Sequence, residues 1–167
     1  MVFKKSVISE KDQIFTILSD CGAHMRANGI MQWDETYPTM QLVEKDILSE
    51  NMTSVYSGDQ LIGVMVMDED QSSQYASVNW KYQENPILVV HRLAISPKLQ
   101  GQGFGLKCMR YAETYAADAG YRSIRLDAYK GNEGLQQFYH NLGYQEVGEI
   151  PLEYTAGPFV CFEKAIP

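Results

Sequence analysis

The stretch that decides the fold runs from Leu93 to Leu106 and reads LAISPKLQGQGFGL. The residues from Ile87 to Ile95 are mostly branched and apolar, which predicts a buried strand. Pro97 predicts the end of this strand, because proline has no N–H group to donate to a strand ladder. After Leu106, apolar residues recur at helical spacing, so a helix is predicted to follow. Three glycines lie between the two elements, and without Cβ atoms they let backbone N–H groups face a ligand at close range.

This loop is predicted to hold a diphosphate, because a helix N-terminus carries unpaired N–H groups and a partial positive charge. It does not match the Walker A pattern, since Leu106 stands in place of the glycine before the lysine and Cys108 in place of Ser or Thr. The dinucleotide pattern G-x-G-x-x-G also needs a glycine at 106. The pattern that fits is Gln-x-x-Gly-x-Gly at Gln100, Gly103 and Gly105. The alternative interpretation is a glycine-rich turn that only connects a strand to a helix.

Length and composition favour one soluble domain over residues 1–167. The chain has 45% hydrophobic and 21% charged residues, which is ordinary for a globular protein. The net charge of −7 argues against a nucleic-acid partner, which needs a basic face. The negative charge is compatible with a cationic amine substrate, although a role in keeping the protein soluble is enough to explain it. The run from Leu61 to Met67 is too short to span a membrane, and no apolar signal segment follows Met1. We expect a cytoplasmic protein without a membrane partner, and a homodimer stays open.

The cysteine and histidine spacings do not predict a metal centre or a disulfide framework. Cys21, Cys108 and Cys161 are an odd number and widely spaced, with no C-x-x-C pair. Three histidines and three cysteines form no ligand cluster in the sequence. We therefore expect reduced thiols and no metal.

The whole chain predicts the order β-α-α-β-β-β-α-β-α-β-β. This order predicts an α/β fold with a mixed (α+β) sheet of about seven strands and helices on both faces, because β-α-β units are right-handed crossovers. Loops are predicted at Ile30–Pro38, Asp68–Asn85 and Pro151–Pro158. The predicted strands cover Val2–Ile8, Met52–Tyr56, Leu61–Met67, Ile87–Ile95, Tyr121–Ala128, Tyr144–Ile150 and Phe159–Ala165.

Three motifs in sequence order resemble the GNAT (Gcn5-related N-acetyltransferase) superfamily. The Gln-x-x-Gly-x-Gly loop that begins at Gln100 is similar to the acyl-coenzyme A loop of that family. Asn132 precedes a predicted short helix, where the family often places an asparagine near the cofactor. Residues 138–144, Phe-Tyr-His-Asn-Leu-Gly-Tyr, are similar to the family segment F-Y-x-x-x-G-[FY]. The order of elements also matches the GNAT plan along nearly the whole chain, which implies a single GNAT acyl-CoA N-acyltransferase domain.

The resemblance implies that acetyl-CoA (coenzyme A) binds along the loop and the fourth strand. It further implies that the fourth strand splays from the fifth, which frees the backbone of Leu93 and Ile95 to pair with the pantetheine amides. Lys98 and Lys107 are candidates for the outer phosphates, although a solvated surface charge is the simpler interpretation of each. The expected cofactor-binding residues are Leu93, Ala94, Ile95, Gln100, Gly101, Gln102, Gly103, Phe104, Gly105, Leu106 and Asn132.

The resemblance also implies that Tyr139 acts as the general acid that protonates the leaving thiolate. Its position on an apolar helix face fits a core aromatic as well. The general base stays open, because Val89-Val90 stands where some family members carry a glutamate, and valine cannot accept a proton. His91 and Asp127 are the main candidates, since histidine has a suitable intrinsic pKa. Glu35 and a chain of water molecules are further alternatives.

Three aromatic residues are expected to shape the acceptor site, namely Trp33, Tyr37 and Trp80. With Asp34 and Glu35 nearby, they suit a cationic amine, although the first two also fit a role in fixing their loop to the core. The expected function is transfer of an acetyl group from acetyl-CoA to a primary amine of a small molecule, by direct attack in a ternary complex. The alternatives are a non-catalytic acyl-CoA binding or sensing domain and a protein N-terminal acetyltransferase.

Overall fold

The computed structural model, which describes residues 1–152 and 157–167, contains the predicted elements in the predicted order. The strands are β1 (Val2–Lys5), β2 (Met52–Ser57), β3 (Gln60–Asp68), β4 (Ile87–Ile95), β5 (Ser123–Tyr129), β6 (Gln145–Pro151) and β7 (Pro158–Ala165). The helices are α1 (Lys11–Ala27), α2 (Met40–Leu48), α3 (Phe104–Asp118) and α4 (Glu133–Asn141). Short 3-10 turns cover Ile8–Glu10, Ser73–Ser77 and Pro97–Leu99. The predicted fold class is confirmed.

Capping residues fix where the helices begin. The Thr39 hydroxyl accepts a hydrogen bond from the N–H of Leu42 at 3.1 Å and starts α2. Asn132 does the same for α4, since its Oδ1 accepts from the N–H of Leu135 at 3.2 Å. Gly103 precedes α3 in a left-handed conformation with φ of 79°, which glycine adopts without a steric penalty.

The seven strands form one sheet in the order β1-β2-β3-β4-β5-β7-β6. All neighbours are antiparallel except β4 and β5. That parallel pair joins only Ile87 to Ser123, Leu88 to Ile124 and Val89 to Arg125. Beyond these pairs β4 continues to Ile95 and β5 to Tyr129, so the two strands part. The expected splay of the fourth strand from the fifth is confirmed.

A bulge in β4 lies beside this opening. The register with β3 shifts by one residue, because Val64 pairs with Ala94 whereas Val66 pairs with His91. Arg92 lies in the extra position with φ of 47°, a left-handed conformation that is uncommon outside glycine. Bulges bend a strand and change the direction of its side chains. This bulge brings His91 and Arg92 to the edge of the opening.

Helices cover both faces of the sheet, as predicted. On one face, α1 and α2 bury Ile14, Leu18, Val43 and Ile47 against Val64 and Val66. On the other, α3 and α4 bury Met109, Ala112 and Tyr139 against Leu88, Val90 and Leu126. Within the described residues, no helix is long and apolar enough to cross a membrane. The three cysteines are buried, and none of them is in a disulfide.

Buried charges order the long polar loop that precedes β4. Arg125 donates from Nη1 to Gln71 Oε1 at 2.6 Å and from Nη2 to the carbonyl of Tyr82 at 2.7 Å. Glu163 accepts from the N–H of Lys81 at 2.5 Å. The predicted loop Pro151–Pro158 is shorter than expected at both ends, because Pro151 and Pro158 pair within the sheet. Its residues 153–156 lie outside the described residues.

Candidate active site

A large groove begins where β4 and β5 part, and it has a volume of about 1060 Å³. Its walls come from the end of β4, the loop before α3, the start of α4 and one face of α1. The predicted cofactor-binding residues that line it are Leu93, Ala94, Ile95, Gln100, Gly101, Gly103, Phe104, Gly105, Leu106 and Asn132. Gln102 does not line it, because its side chain is exposed and turns back toward the carbonyl of Lys98 at 3.5 Å.

The loop presents a row of free backbone donors to this groove. Within the described residues, no N–H group from Gly101 to Leu106 donates a hydrogen bond. The first helical bond of α3 runs from the N–H of Lys107 to the carbonyl of Gly103 at 3.2 Å. A run of consecutive free amides at the start of a helix provides both the donors and the partial positive charge that a diphosphate needs. The loop therefore fits the diphosphate of a coenzyme A thioester.

The side chain of Gln100 holds the loop against β4. Its Nε2 donates to the carbonyl of Ile95 at 2.9 Å, and the thiol of Cys21 donates to the same oxygen at 3.2 Å. Because a carbonyl oxygen accepts two hydrogen bonds, this one is saturated. The expectation that the whole backbone of Ile95 is free for the pantetheine is therefore wrong for its carbonyl. In a strand, the N–H of the same residue points to the same side, toward the opening between β4 and β5.

The lysines proposed for the outer phosphates do not line the groove. Lys107 lies over the ring of Phe104, with 5.6 Å between its Nζ and the ring centroid. Arg110 lines the groove instead, one turn beyond Leu106 on the same face of α3. One face of α1 also lines the groove and was not predicted to do so, although its spacing of i, i+3, i+4 and i+7 is a detectable signal. That face consists of Cys21, His24, Met25 and Asn28.

A second, smaller cavity of about 70 Å³ adjoins the groove. The residues that line both are Gln32, Trp33, Leu93, Leu135 and Tyr139. Among the predicted catalytic and acceptor-site residues, the smaller cavity brings together Trp33, Tyr37, His91, Asp127 and Tyr139. It therefore joins side chains that lie more than one hundred residues apart in the sequence.

Tyr139 lies at the junction of the two cavities. It is buried, and its ring packs between Phe138, Tyr144 and Phe162 with centroid distances of 5.3 to 5.9 Å. Among the described residues its hydroxyl has no hydrogen-bond partner. Burial raises the pKa of this phenol, and the charge of Asp127 acts in the same direction. The hydroxyl therefore keeps its proton at neutral pH and is free to donate it to a bound molecule.

The two candidate bases lie in the smaller cavity with different partners. The Nε2 of His91 is 3.1 Å from Asp68 Oδ1 and 3.1 Å from the carbonyl of Asp70. Asp127 accepts a hydrogen bond from the hydroxyl of Tyr75 at 2.7 Å. Burial raises the pKa of Asp127, although that hydrogen bond opposes the shift. Glu35 is exposed and lines neither cavity, so it is placed poorly for the role of base.

Arg92, which was not among the predicted site residues, connects the loop at residues 30–38, here called the acceptor loop, to the bulge in β4. Its Nε and Nη2 bind Asp46 Oδ2 of α2, both at 2.9 Å, and its Nη1 donates to the hydroxyl of Tyr37 at 3.1 Å. Trp33 packs edge to face against Tyr37 with a centroid distance of 6.0 Å. These contacts hold both aromatic rings over the smaller cavity.

Trp80 does not lie in the acceptor site, which corrects the expectation from the sequence. It is buried in a separate cluster, where its indole N–H donates to the carbonyl of Tyr75 at 2.9 Å. The guanidinium of Arg125 covers its ring, with 4.2 Å between Cζ and the ring centroid. Trp80 therefore supports Tyr75, whose hydroxyl binds Asp127, and has no contact with either cavity.

Comparisons with known proteins agree with the fold and with the family resemblance. The model of the Acetyltransferase (GNAT) family matches residues 15–144, which is more than half of the chain. The chain belongs to the GNAT acetyltransferase family. The resemblance inferred from the sequence is confirmed, and the protein is an acyltransferase of a family that uses acetyl-CoA.

The relatives extend the match over almost the whole chain. YesJ of Bacillus subtilis (strain 168), named as an uncharacterized N-acetyltransferase, is 25% identical over 165 residues, which cover 96% of this chain and 88% of YesJ. A GNAT acetyltransferase of Streptococcus agalactiae 2603 has a TM-score of 0.84 at 22% identity, covering 98% of this chain and 94% of that one. The protein yncA of Salmonella typhimurium, solved with its cofactor acetyl-CoA, has a TM-score of 0.73 at 11% identity, covering 100% and 94%. These solved structures share the fold.

Proposed function

We propose that this GNAT protein transfers an acetyl group from acetyl-CoA to a primary amine of a small molecule, by direct attack in a ternary complex. The observation that carries the proposal is the position of Tyr139. This residue lines both the groove with the predicted diphosphate site and the small cavity that is also lined by His91 and Asp127. A donor for the leaving sulfur and a base for the amine thus meet at one point, as acetyl transfer requires.

The groove supports acetyl-CoA as the acetyl donor, which supplies a thioester activated toward amines. The free N–H groups from Gly101 to Leu106 bind its diphosphate. Among the described residues, no strand pairs with β4 on the β5 side beyond Val89. Apart from the carbonyl of Ile95, the backbone there is open to pair with an extended amide chain. Asn132 caps α4 at the edge of the groove and binds the cofactor through its remaining hydrogen-bond capacity.

Tyr139 acts as the general acid. Since burial raises its pKa, the phenol is protonated at neutral pH and donates a hydrogen bond to the sulfur as negative charge develops there. The proximity of its ring to both cavities supports this role over that of a core aromatic alone.

His91 acts as the general base. Its Nε2 is occupied by Asp68 and Asp70, and the ring lines the smaller cavity, so its other nitrogen is available to an amine bound there. Asp127 lies across the same cavity and attracts a cationic amine. Val89, at the position where some relatives carry a glutamate, is fully buried in another cluster and has no such role.

The size of the smaller cavity favours a small acceptor over a protein N-terminus. About 70 Å³ admits an amino group and the first few carbons of its substituent, because about 10–15 Å³ of cavity volume is enough for one water molecule. Trp33 and Tyr37 flank it and suit a cationic amine. A peptide acceptor needs a longer channel for the residues that follow its terminal amine.

The test is release of free thiol from acetyl-CoA in the presence of a panel of acceptors. The panel contains alkylamines, arylalkylamines, amino acids and short peptides with free N-termini. Thiol release with a small amine above the rate without protein supports the proposal. Release with peptides alone supports an N-terminal acetyltransferase. Tight binding of acetyl-CoA without thiol release from any acceptor supports the binding or sensing domain.

A further inference from the structure

The hydrogen bonds at His91 determine which ring nitrogen carries the proton. Its Nε2 lies 3.1 Å from a carboxylate oxygen of Asp68 and 3.1 Å from the backbone carbonyl of Asp70. A carbonyl only accepts hydrogen bonds, and so does an ionised carboxylate. The proton of neutral His91 therefore lies on Nε2. The lone pair is then on Nδ1, which has no hydrogen-bond partner among the described residues.

Asp68 is ionised and held in place. Burial acts to raise its pKa, but the hydrogen bond and the charge of His91 outweigh burial and keep the pKa below its ordinary value. Its Oδ2 accepts from the side-chain amide of Asn51 at 3.2 Å, and its Oδ1 accepts from the N–H of Asp70 at 3.0 Å. Every polar neighbour of this carboxylate is therefore a donor. Because the ionised Asp68 carboxylate has no proton to donate, Nε2 must be the donor in its hydrogen bond with Asp68, and the proton cannot move to Nδ1.

The register of the sheet produces this pair. Val66 of β3 is directly opposite His91 of β4, and Asp68 follows Val66 by two residues. Residues two apart on a strand lie on the same face, so Asp68 and His91 are diagonal neighbours on one face of the sheet. The pair therefore depends on the strand pairing and not on a mobile loop.

The other charged groups around His91 are already paired. Arg92, from the bulge, binds Asp46 of α2 and the hydroxyl of Tyr37. Asp127 of β5 accepts from Tyr75, and the uncharged Tyr139 of α4 lines the same cavity. The side chain of Asp70 is exposed, and only its backbone carbonyl contacts the imidazole. Asp68 is thus the one carboxylate among the described residues that is bonded to His91.

We propose that Asp68 is a positioning residue for acetyl transfer, which holds the proton of His91 on Nε2 so that Nδ1 accepts the proton of the acceptor amine. The inference rests on the proposed function, in which His91 is the base.

The acceptor ammonium gives one proton to Nδ1, and the carboxylate of Asp68 stabilises the imidazolium that forms. The N–C bond forms as the C–S bond breaks, and the sulfur takes the proton of Tyr139. The second amine proton restores the Tyr139 hydroxyl, and His91 releases its proton to solvent.

The test compares Asp68→Asn with Glu69→Gln in the full chain. Asp68→Asn removes the charge without changing the shape of the side chain, and we expect kcat to fall roughly 100-fold, in the range known for acid–base catalysis. The KM for acetyl-CoA should stay within about twofold, because the groove is not altered. Glu69→Gln removes an exposed charge beside Asp68 in the sequence and should change kcat by less than about twofold, because Glu69 binds the hydroxyl of Tyr121 and lines neither cavity. Equal effects of the two substitutions would overturn the proposal.

A double-mutant cycle separates positioning from a structural role. If Asp68 acts through the imidazole, Asp68→Asn should lower kcat by less than about twofold in a His91→Gln background. A further 100-fold loss in that background would show that Asp68 acts elsewhere and would refute the inference.

The ¹⁵N NMR signals of His91 test the tautomer without any turnover. In the wild-type protein at a pH where the ring is neutral, we expect the proton on Nε2. A proton on Nδ1 would refute the inference even if the protein is an active acetyltransferase. If instead the tautomer is as expected and no acceptor releases thiol, the proposed function fails while the positioning of His91 stands. The measurement needs no variant, so it also serves if Asp68→Asn does not fold.

Discussion

Gln32 and Asn132 join the two sides of the groove through a hydrogen bond of 3.1 Å, from Asn132 Nδ2 to Gln32 Oε1, across 100 residues of sequence. Both residues line the groove. The Oδ1 of Asn132 also accepts from the N–H of Leu135 and caps α4. Gln32 therefore fixes the orientation of the Asn132 side-chain amide. The acceptor loop that follows α1 is thereby connected to the expected cofactor site.

Replacing Gln32 by alanine should weaken acetyl-CoA binding about fivefold. The substitution removes one hydrogen bond that orients Asn132, and such a bond contributes about 1 kcal/mol. Calorimetric titration of the cofactor measures the change. Gln137→Ala is the matched control, because Gln137 bonds to Asn141 on the exposed side of α4 and lines neither cavity. A similar loss in both variants would mean that Gln32 acts through helix stability.

Substitutions of the two glycines that flank α3 test whether the diphosphate binds at the start of this helix. Gly103 and Gly120 both have φ of 79°, and a Cβ added at either meets no atom within 4 Å. An alanine at either position is therefore strained by about 1–2 kcal/mol, and the two variants should lose similar stability. Only Gly103 lines the groove, so only Gly103→Ala should weaken acetyl-CoA binding, by roughly tenfold or more.

Thermal unfolding gives the stability of both glycine variants, and titration with coenzyme A gives the affinity. If Gly103→Ala leaves the affinity for coenzyme A unchanged, the diphosphate does not bind at the start of α3. The larger Gly103→Val substitution should abolish binding, because a branched side chain would then occupy the seat itself.

The fold and the loop were predictable because they depend on local patterns. The apolar run before Pro97 and the helical spacing after Leu106 each specify one element, and glycines between them leave the backbone donors free. The capping role of Asn132 follows from its type and its position before an amphipathic helix. These features need no knowledge of which strands pair.

The pairings of the candidate site were not predictable in this way. The contact between His91 and Asp68 requires the register of β3 with β4, and the one-residue bulge at Arg92 changes that register within the same strand pair. Trp80 was misplaced because a tryptophan in a polar loop suggests a binding surface. A signal was nevertheless present, since Arg125 and Glu163 interrupt apolar strands and buried charges need partners. Their partners are the loop that carries Trp80.

Tyr139→Phe should lower kcat by roughly 10- to 100-fold and leave the affinity for acetyl-CoA within about twofold. The substitution removes the proton donor and preserves the ring that packs against Phe162. Steady-state kinetics by thiol release and cofactor titration measure the two quantities. Tyr144→Phe is the matched control, since Tyr144 is equally buried, contacts the same ring and lines neither cavity. Full activity of Tyr139→Phe would exclude the phenol as the acid.

Replacing each of the two tryptophans by phenylalanine should change a different property, substrate binding for Trp33 and stability for Trp80. Trp33→Phe should raise the KM for the amine several-fold, because Trp33 flanks the smaller cavity. Trp80→Phe should leave that KM unchanged but lower the free energy of unfolding by about 1–3 kcal/mol, since it removes the bond to Tyr75 and part of the contact with Arg125. Kinetics and urea unfolding distinguish them. A raised KM in Trp80→Phe would restore Trp80 to the acceptor site.

The buried thiols should make the protein lose stability at alkaline pH. Burial raises the pKa of Cys21, Cys108 and Cys161 to about 12 each, whereas an unfolded chain has thiols of pKa about 8.5. The folded state thus binds more protons above that pH, and the stability that is present below it is lost as the pH rises toward 12. Each thiol should lower the free energy of unfolding by about 1.4 kcal/mol per pH unit in this range.

Cys108→Ala isolates the contribution of one thiol, because burial is the cause of its raised pKa. Urea unfolding of this variant and of the wild type at pH 8, 9, 10 and 11 gives the difference in free energy at each pH. Because alanine fills less space than cysteine, the variant is less stable by a constant amount at every pH. Ionisation of the thiol therefore changes only the slope of the free energy of unfolding against pH. The wild type should approach the variant by about 1.4 kcal/mol per unit above pH 9. Parallel curves would show that the thiol of Cys108 ionises in the folded protein as it does in the unfolded chain.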